Sequence, residues 1–393
     1  MTTPSIVIAA ARRTPIGAFQ GALAGASATE LGAAAIRAAV NDAGIEPDEI
    51  SEVLMGCVLP AGLGQAPARQ AALAADIPLG IPCTTVSKVC GSGMKAAMLA
   101  HDTIRAGSAT IAVAGGMESM TNAPYLLPNA RSGYRMGHQQ VLDHMFLDGL
   151  QNPYDGNMMG HFAEATADKY GFTREAQDDF SIASVKRALA AAGDGFSAEI
   201  IPVEIKSRRG STTVDTDEEP GRCDLEKIPT MRPAFRRDGG TVTAASSSSI
   251  SDGAAALVLL EESEAERRGI EPLARIVGHS GFAHAPEWFT TAPVFAMKAL
   301  LEELDWKAED VDLYEINEAF AVVAMAAMHD LALDHDKVNV NGGACALGHP
   351  IGATGARIIT TLTHALKSRG LKRGMASLCI GGGEATAIAI ETL

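Results

Sequence analysis

Residues 84–93 read TTVSKVCGSG, a β-branched run that leads into a turn of small residues. A run of this kind followed by a helical pattern predicts a strand that passes directly into a helix. The chain then reaches a second apolar strand at residues 110–114, which ends at Gly115-Gly116. Strands that alternate with helices in this order are typical of an α/β fold with a layered architecture.

The same order of elements occurs twice in the chain. A predicted helix at residues 28–43 and strand at 52–58 have counterparts in a helix at 293–304 and a strand at 312–317. The unit at 84–116 has a counterpart in a predicted strand at 337–343, a helix from about 352 to 369 and a strand at 376–380. The repeat predicts two similar α/β halves whose equivalent turns meet at a ligand crevice.

The repeat divides the chain into three parts. Residues 1–120 together with 250–270 form the N-terminal half, residues 271–393 form the C-terminal half, and residues 121–249 lack the repeating order. We interpret residues 121–249 as an inserted loop domain with a helix at 173–192, because long structureless loops are uncommon unless they are functional. The alternative is a long irregular connection.

Composition and charge exclude several classes of function. The formal net charge is −15 and Lys and Arg form no cluster, so neither a nucleic acid nor an anionic membrane surface is an expected partner. Residues 1–8 predict a first strand and not a signal peptide, which favours a cytoplasmic protein. The six cysteines show no CxxC spacing, so we expect no metal cluster and no disulfide framework.

Cys90 stands where the strand at 84–89 gives way to a helix. The free N–H groups of a helix N-terminus favour a thiolate there and can stabilise an oxyanion on an acylated sulfur. Cys90 is therefore a candidate nucleophile, and the alternative is a buried cysteine at a tight turn.

Two further segments carry candidate catalytic groups. His349 lies in the glycine-rich stretch at 341–355, which would hold the imidazole against a narrow pocket as a base, although a helix-capping histidine is the alternative. Cys379 ends the strand before Gly381 and could act as an acid or base, unless it only fills the core. The Gly381 N–H is a natural second oxyanion donor beside the Cys90 turn.

Two polar positions could line the same pocket. Asn317 lies at a strand-to-helix junction, where its amide either caps the helix or orients a water. Ser248 belongs to the run SSSSISDG at 246–253, between predicted strands at 241–243 and 254–260, and could border an extended ligand. The alternative is an ordinary serine-rich turn.

Five segments, in order along the whole chain, resemble the thiolase family. They are VCGSG at 89–93, GGMESM at 115–120, NEAFA at 317–321, NGGACALGHPIG at 341–352 and CIGGG at 379–383. The resemblance implies two thiolase-fold halves in a five-layer αβαβα sandwich, with an inserted loop domain that binds coenzyme A. It also implies a dimer or a dimer of dimers, of which we expect the homotetramer.

The resemblance also implies the role of each site residue. Cys90 is expected to carry the acyl group, His349 to activate Cys90, and Cys379 to handle the α-proton of the second acyl group. Asn317, through a water, and His349 would form one oxyanion hole, and the N–H groups of Cys90 and Gly381 the other. The residues expected to contact the coenzyme A thioester are Ser248, Met159, Ala319, Phe320, Phe235 and Arg222.

The implied reaction is a reversible Claisen condensation of two acetyl-CoA molecules to acetoacetyl-CoA and CoA, by a ping-pong mechanism. Coenzyme A thioesters are substrates in this scheme, and no permanently bound cofactor or metal is expected. Residues 131–137 and 142–146 are similar to the loop of short-chain members of the family, whereas Met158 stands where such members often carry a histidine. Two alternatives stay open: a 3-ketoacyl-CoA thiolase of fatty-acid breakdown with broader chain length, and a non-catalytic acyl-CoA-binding protein.

Overall fold

The computed structural model describes residues 4–208 and 210–393 of the chain. Residues 1–3, which belong to the predicted first strand, lie outside this part. The first elements in chain order are β1 (Ile6–Arg13), β2 (Gly17–Ala18), α1 (Ala28–Ala43), β3 (Glu52–Gly56), α2 (Pro67–Ala74), β4 (Cys83–Val86), α3 (Ser92–Arg105) and β5 (Ile111–Ser119).

The middle of the chain holds small strand pairs and two longer helices. Its elements are β6 (Tyr125–Leu126), β7 (Leu142–Asp143), α4 (Met159–Tyr170), α5 (Arg174–Ala191), β8 (Val203–Ser207) and β9 (Gly210–Val214). The remaining elements are β10 (Ser251–Glu261), α6 (Glu262–Arg268), β11 (Ala274–Ala283), α7 (Ala292–Glu303), β12 (Leu313–Ile316), α8 (Ala321–Leu331), α9 (Ala344–Leu347), α10 (Thr354–Arg369), β13 (Arg373–Ile380) and β14 (Glu384–Thr392).

The main strands form one continuous path in the order β4-β3-β5-β10-β1-β11-β14-β13-β12. β3 is parallel to β4 and β5, and β12 is parallel to β13, whereas the other neighbours along the path are antiparallel. The β1–β11 pairing spans three residues, from Ile6 opposite Ile276 to Ile8 opposite Ala274. The path therefore consists of two similar mixed sheets joined along one edge.

Helices cover both sheets in five layers. α1 and α2 pack outside the N-terminal sheet, α3 and α10 lie between the two sheets, and α7 and α8 lie on the outer side of the C-terminal sheet. This arrangement confirms the αβαβα sandwich and the α/β class. Among the described residues, none of the helices is both long and apolar enough to cross a lipid bilayer.

The two central helices approach each other at glycines. A Cβ at Gly93 of α3 would lie 2.8 Å from the backbone nitrogen of Ala356, and a Cβ at Gly355 of α10 would lie 2.2 Å from that of Met94. Only glycine permits such backbone contact. This close crossing brings together the two helix N-termini, one from each half of the molecule.

Local signals account for the helices that the sequence predicts most accurately. Ser27 and Glu30 form a capping box at the start of α1, and Gly44 ends that helix in the left-handed conformation. Thr173 caps α5 through its side chain. The predicted helices at 28–43 and 173–192 are confirmed.

Two predicted strands are wrong. The segment at 337–343 makes only an isolated bridge, from Val338 to Tyr314, because Asn339 has a φ of 50° and turns the chain away from the sheet. The segment at 241–243 forms no strand, because the N–H groups of Thr241 and Val242 donate to the buried carboxylate of Glu164.

Candidate active site

The Cys90 turn is held by the side chain of Ser92. The Ser92 hydroxyl accepts from the Lys88 N–H at 2.8 Å and donates to the Val89 carbonyl at 2.6 Å. Val89 has a φ of 45°, which is costly for a β-branched residue and is found where the surrounding structure enforces it. The turn therefore sets the position of the Cys90 backbone at the start of α3.

The Cys90 sulfur receives backbone N–H groups from both halves of the molecule. Its own N–H and that of Gly381 are directed at Sγ and favour the thiolate. Burial opposes them and is the larger effect, so the pKa of Cys90 is raised to about 11. The N–H groups at the start of α3 thus favour the thiolate, as the sequence indicates, but desolvation outweighs them.

Cys379 lies beside Cys90. It is the last residue but one of β13 and is fully buried. Burial and the neighbouring Cys90 both raise the pKa of Cys379 well above its usual value. Two sulfurs from opposite halves therefore share one site, in which burial disfavours the thiolate of each.

His349 enters the site from the turn before α10. Its ring Nδ1 lies 2.6 Å from the Thr354 hydroxyl, and that hydroxyl lies 2.9 Å from the Pro350 carbonyl. When the hydroxyl donates to the carbonyl, Nδ1 carries the ring proton and Nε2 keeps a free lone pair. Nε2 is buried and has no protein partner, and burial, with a contribution from Arg357, lowers the pKa of His349 to about 3.

Asn317 follows β12 and is also buried. Its backbone N–H donates to the Ser377 carbonyl, whereas both polar atoms of its side chain lack a protein partner. A helix-capping role is absent, since Phe320 occupies the cap of α8. A buried amide without protein partners is rare and requires a water or a ligand group.

One cavity of about 240 Å³ connects most of the predicted residues. Its walls are mainly apolar. The predicted residues that line it are Cys90, His349, Gly381, Ser248, Met159, Ala319, Phe320 and Phe235. Met158, Phe146, Leu150 and Phe289 add bulky side chains to the same wall.

Three predicted residues do not line this cavity. Cys379 and Asn317 are buried within 2 residues of the cavity-lining Gly381 and Ala319, respectively. Arg222 is exposed, and its guanidinium pairs with Glu218 at 3.2 Å. The contact of Arg222 with a coenzyme A phosphate stays a prediction.

Glu118 is a site component that the sequence analysis did not identify. Its fully buried carboxylate accepts the N–H groups of Val58, Leu59 and Gly352, at 2.9 to 3.1 Å. Burial raises the pKa of Glu118 to about 7. Because Gly352 follows the His349 turn, Glu118 fixes that turn against β5. The position of Glu118 in the GGMESM segment at 115–120 was the feature of the sequence that could have identified it.

Together, these features define a half-buried cysteine at a cavity, beside a buried imidazole and backbone oxyanion donors, which are the groups that an acyltransferase requires. Sequence comparison agrees with this class. The profile of the thiolase N-terminal domain matches residues 6–263, and that of the thiolase C-terminal domain matches residues 270–392. The chain belongs to the thiolase family and is an enzyme of the acyltransferase class.

Relatives of known name cover the full length. Acetyl-CoA acetyltransferase 2 of Arabidopsis thaliana is 50% identical over 391 residues, which are 99% of this chain and 97% of the relative. Acetyl-CoA acetyltransferase of Cupriavidus necator is 48% identical over 98% of this chain and 99% of the relative.

Solved structures show the same fold. Bacillus anthracis acetyl-CoA acetyltransferase superposes with a TM-score of 0.97 at 43% identity and covers 100% of this chain and 99% of that chain. A thiolase from Ascaris suum in complex with coenzyme A superposes with a TM-score of 0.94 at 42% identity and covers 99% of this chain and 100% of that chain.

Proposed function

We propose that the chain is an acetyl-CoA C-acetyltransferase, which condenses two acetyl-CoA molecules to acetoacetyl-CoA and CoA and also catalyses the reverse thiolysis. The main support is the Cys90 sulfur, which faces a cavity that it shares with His349 and receives the N–H of Gly381. The names of the full-length relatives point to the same reaction.

In the first half-reaction, the Cys90 sulfur attacks the thioester carbon of acetyl-CoA. The thiol proton passes to Nε2 of His349, which the Thr354 contact leaves free to accept it. The bond between the acetyl carbon and the CoA sulfur then breaks, and Cys379 donates its proton to the leaving sulfur. The products are free CoA, an acetyl-Cys90 thioester, a Cys379 thiolate and an imidazolium.

In the second half-reaction, the Cys379 thiolate removes an α-proton from a second acetyl-CoA. The resulting carbanion attacks the acetyl carbon on Cys90, and the carbon–sulfur bond to Cys90 breaks. The Cys90 sulfur recovers its proton from His349, which restores both thiols and the neutral imidazole. A thioester on Cys90 cannot ionise, so the Cys379 thiolate meets no second sulfur charge, which is one of the causes that raise the pKa of Cys379.

Each half-reaction develops negative charge on a different thioester oxygen. We assign the oxygen of the Cys90-bound acetyl group to the N–H groups of Cys90 and Gly381. The oxygen of the CoA-bound acetyl group is assigned to His349 and to Asn317, whose unpaired buried amide can hold a water there. Two sets of donors match the two chemical steps.

Bulky side chains support a preference for short acyl groups. Met158, Met159, Phe235 and Phe320 line the cavity of about 240 Å³. Thiolysis rates on acetoacetyl-CoA and on a long-chain 3-ketoacyl-CoA test this preference directly. A higher kcat/KM for the long chain would instead identify the fatty-acid thiolase activity.

Residues 121–249 are proposed to form the loop domain that binds the pantetheine arm. Residues 1–120 together with 250–270 form one catalytic half in this proposal, and residues 271–393 form the other. Met159 and Phe235 of the loop segment line the cavity. Tyr125, Leu127 and Met136 of the same segment are exposed apolar side chains, which supports an oligomer contact and the homotetramer. A cytoplasmic location is part of the same proposal.

The decisive experiment is Cys90→Ser with radiolabelled acetyl-CoA. We expect nearly complete loss of turnover and of the covalent acetyl adduct, while circular dichroism shows an unchanged fold. Cys83→Ser is the matched control, because Cys83 is a partly exposed cysteine in β4 that does not line the cavity. Full activity of Cys90→Ser would reject Cys90 as the nucleophile, whereas a wild-type protein that binds acetyl-CoA without turnover or a covalent adduct would identify the non-catalytic acyl-CoA-binding role.

A further inference from the structure

Two histidines and an aspartate meet at the end of α3 that is remote from Cys90. His101 and Asp102 lie in the last turns of this helix, and His279 lies in β11 of the other half. Nδ1 of His101 and Nε2 of His279 lie 3.0 Å and 2.9 Å from the same Asp102 oxygen, Oδ1. The three donor atoms lie within 4.8 Å of one another.

We propose that His101, Asp102 and His279 bind a divalent transition metal of the Zn²⁺ type. Two imidazole nitrogens and one carboxylate oxygen are a ligand set that Zn²⁺ uses, with water in the remaining position. Tetrahedral ligands at about 2.1 Å from a metal are about 3.4 Å apart. The two nitrogen–oxygen distances of 3.0 Å and 2.9 Å are within about half an ångström of that spacing, and all three donor atoms lie within 4.8 Å of one another, so side-chain rotations bring them around an ion.

Access to the cluster is asymmetric. His101 is buried, His279 is mostly covered, and half of the Asp102 side chain is exposed. The two rings meet edge to face, with centroids 5.0 Å apart, so each ring restricts the rotation of the other. A metal ion can therefore enter from the solvent side at Asp102 and find two preoriented imidazoles behind it.

A bound ion would link the central helix to the C-terminal sheet. β11 pairs with β14, the strand that follows the Cys379–Gly383 turn, and α3 begins beside Cys90. The ion would thus stabilise the relative position of the two halves without touching the cavity. Native-state binding of this kind raises the melting temperature in proportion to the logarithm of the free metal concentration.

The test is a titration of the full-length Cys90→Ser protein with Co²⁺, followed by competition with Zn²⁺. Removing the most accessible catalytic thiol limits binding in the active site. We expect visible d–d absorption that saturates at one Co²⁺ per chain, shows no sulfur-to-metal charge-transfer band and disappears on addition of Zn²⁺. His279→Gln and Asp102→Asn should each weaken binding at least about tenfold, since each removes a direct ligand.

His329→Gln is the matched control. His329 also pairs with a neighbouring aspartate, Asp330, at 2.8 Å, but a second imidazole is not part of that pair. It should leave Co²⁺ binding unchanged. The proposal would be overturned if no Co²⁺ absorption develops. It would also be overturned if His279→Gln and Asp102→Asn bind Co²⁺ as tightly as the Cys90→Ser parent does.

A second readout uses the wild-type enzyme. Zn²⁺ should raise its melting temperature, and His279→Gln should abolish the rise while keeping acetoacetyl-CoA thiolysis within about twofold of wild type. A rise that persists in His279→Gln would assign the effect to another site. Because the readout is metal binding, failure here leaves the proposed acetyltransferase function intact.

Discussion

The two halves of the molecule share a strand order but differ at its outer end, in the segment that leads into the central helix. In the N-terminal half, β4 leads through Val89 directly to Cys90 and α3. In the C-terminal half, Val338 makes a single bridge, and the chain then forms α9 and a glycine-rich turn before α10 begins. The first half thus presents a sulfur at a helix end, and the second presents an imidazole on a longer loop.

The residue that turns the chain shows the same contrast. Val89 and Asn339 both have positive φ, at 45° and 50°. Asn339 is suited to this conformation, and its side chain accepts from the Ile316 N–H and donates to the Glu318 carboxylate. Val89 has neither advantage, so the strain resides on the half that carries the nucleophile, where the cavity requires one backbone position.

The largest expected effect tests the contribution of the C-terminal half. His349→Ala should lower kcat by about 10² to 10⁴, because it removes the group that accepts the Cys90 proton. Thr354→Val keeps the imidazole but removes its Nδ1 partner, and should cost about tenfold through the loss of tautomer control. Steady-state thiolysis of acetoacetyl-CoA measures both. Activity of His349→Ala within threefold of wild type would contradict the proposed role.

The next prediction concerns Cys90 in the N-terminal half and the pH dependence of its alkylation rate. Because its pKa is raised to about 11, the thiolate fraction is small at neutral pH and rises about tenfold per pH unit. Alkylation by iodoacetamide, followed by mass spectrometry of the Cys90 peptide, should therefore accelerate about 100-fold between pH 7 and pH 9 without levelling. A plateau near pH 8 would show that the local N–H donors outweigh burial.

Glu118 joins the two halves, and its removal should affect both. Glu118→Gln leaves backbone N–H groups near Gly352 unpaired and lets the His349 turn move, which should lower kcat by about 10- to 100-fold with little change in KM. Glu164→Gln is the control, since this buried carboxylate holds residues 241–242 in a similar way. Equal kcat values for the two variants would show that Glu118 has only a structural role.

The smallest effects compare the two turning residues directly. Asn339→Gly should lower the free energy of unfolding by about 2–3 kcal/mol, because a buried N–H and a carboxylate lose their partner. Val89→Gly relieves strain but loses side-chain packing, and the net change should stay within about 1 kcal/mol. Urea denaturation measures both values. A larger loss for Val89→Gly would mean that its side chain, and not its backbone, matters most.

Much of the fold could be predicted from the sequence where the signals are local. The Ser27 cap, the Glu30 partner and Gly44 define α1 without reference to distant residues. The predicted strands at 241–243 and 337–343 were wrong because remote contacts decide both segments. The backbone N–H groups of 241–242 donate to Glu164, and the turn at Asn339 is held by Ile316 and Glu318. Glu118 was overlooked for the same reason, since its three N–H donors come from two distant segments.

The sequence by itself determined the two-fold repeat, the class of the fold and the identity of Cys90, His349 and Cys379 as candidates, because these depend on periodicity and short motifs. Only the tertiary structure decided the raised pKa of Cys90, the lowered pKa of His349 and the lack of a protein partner at the buried Nε2 of His349. The physical reason is desolvation: the pKa values of Cys90 and His349 depend on which remote segments exclude water from them, and no local pattern encodes that exclusion.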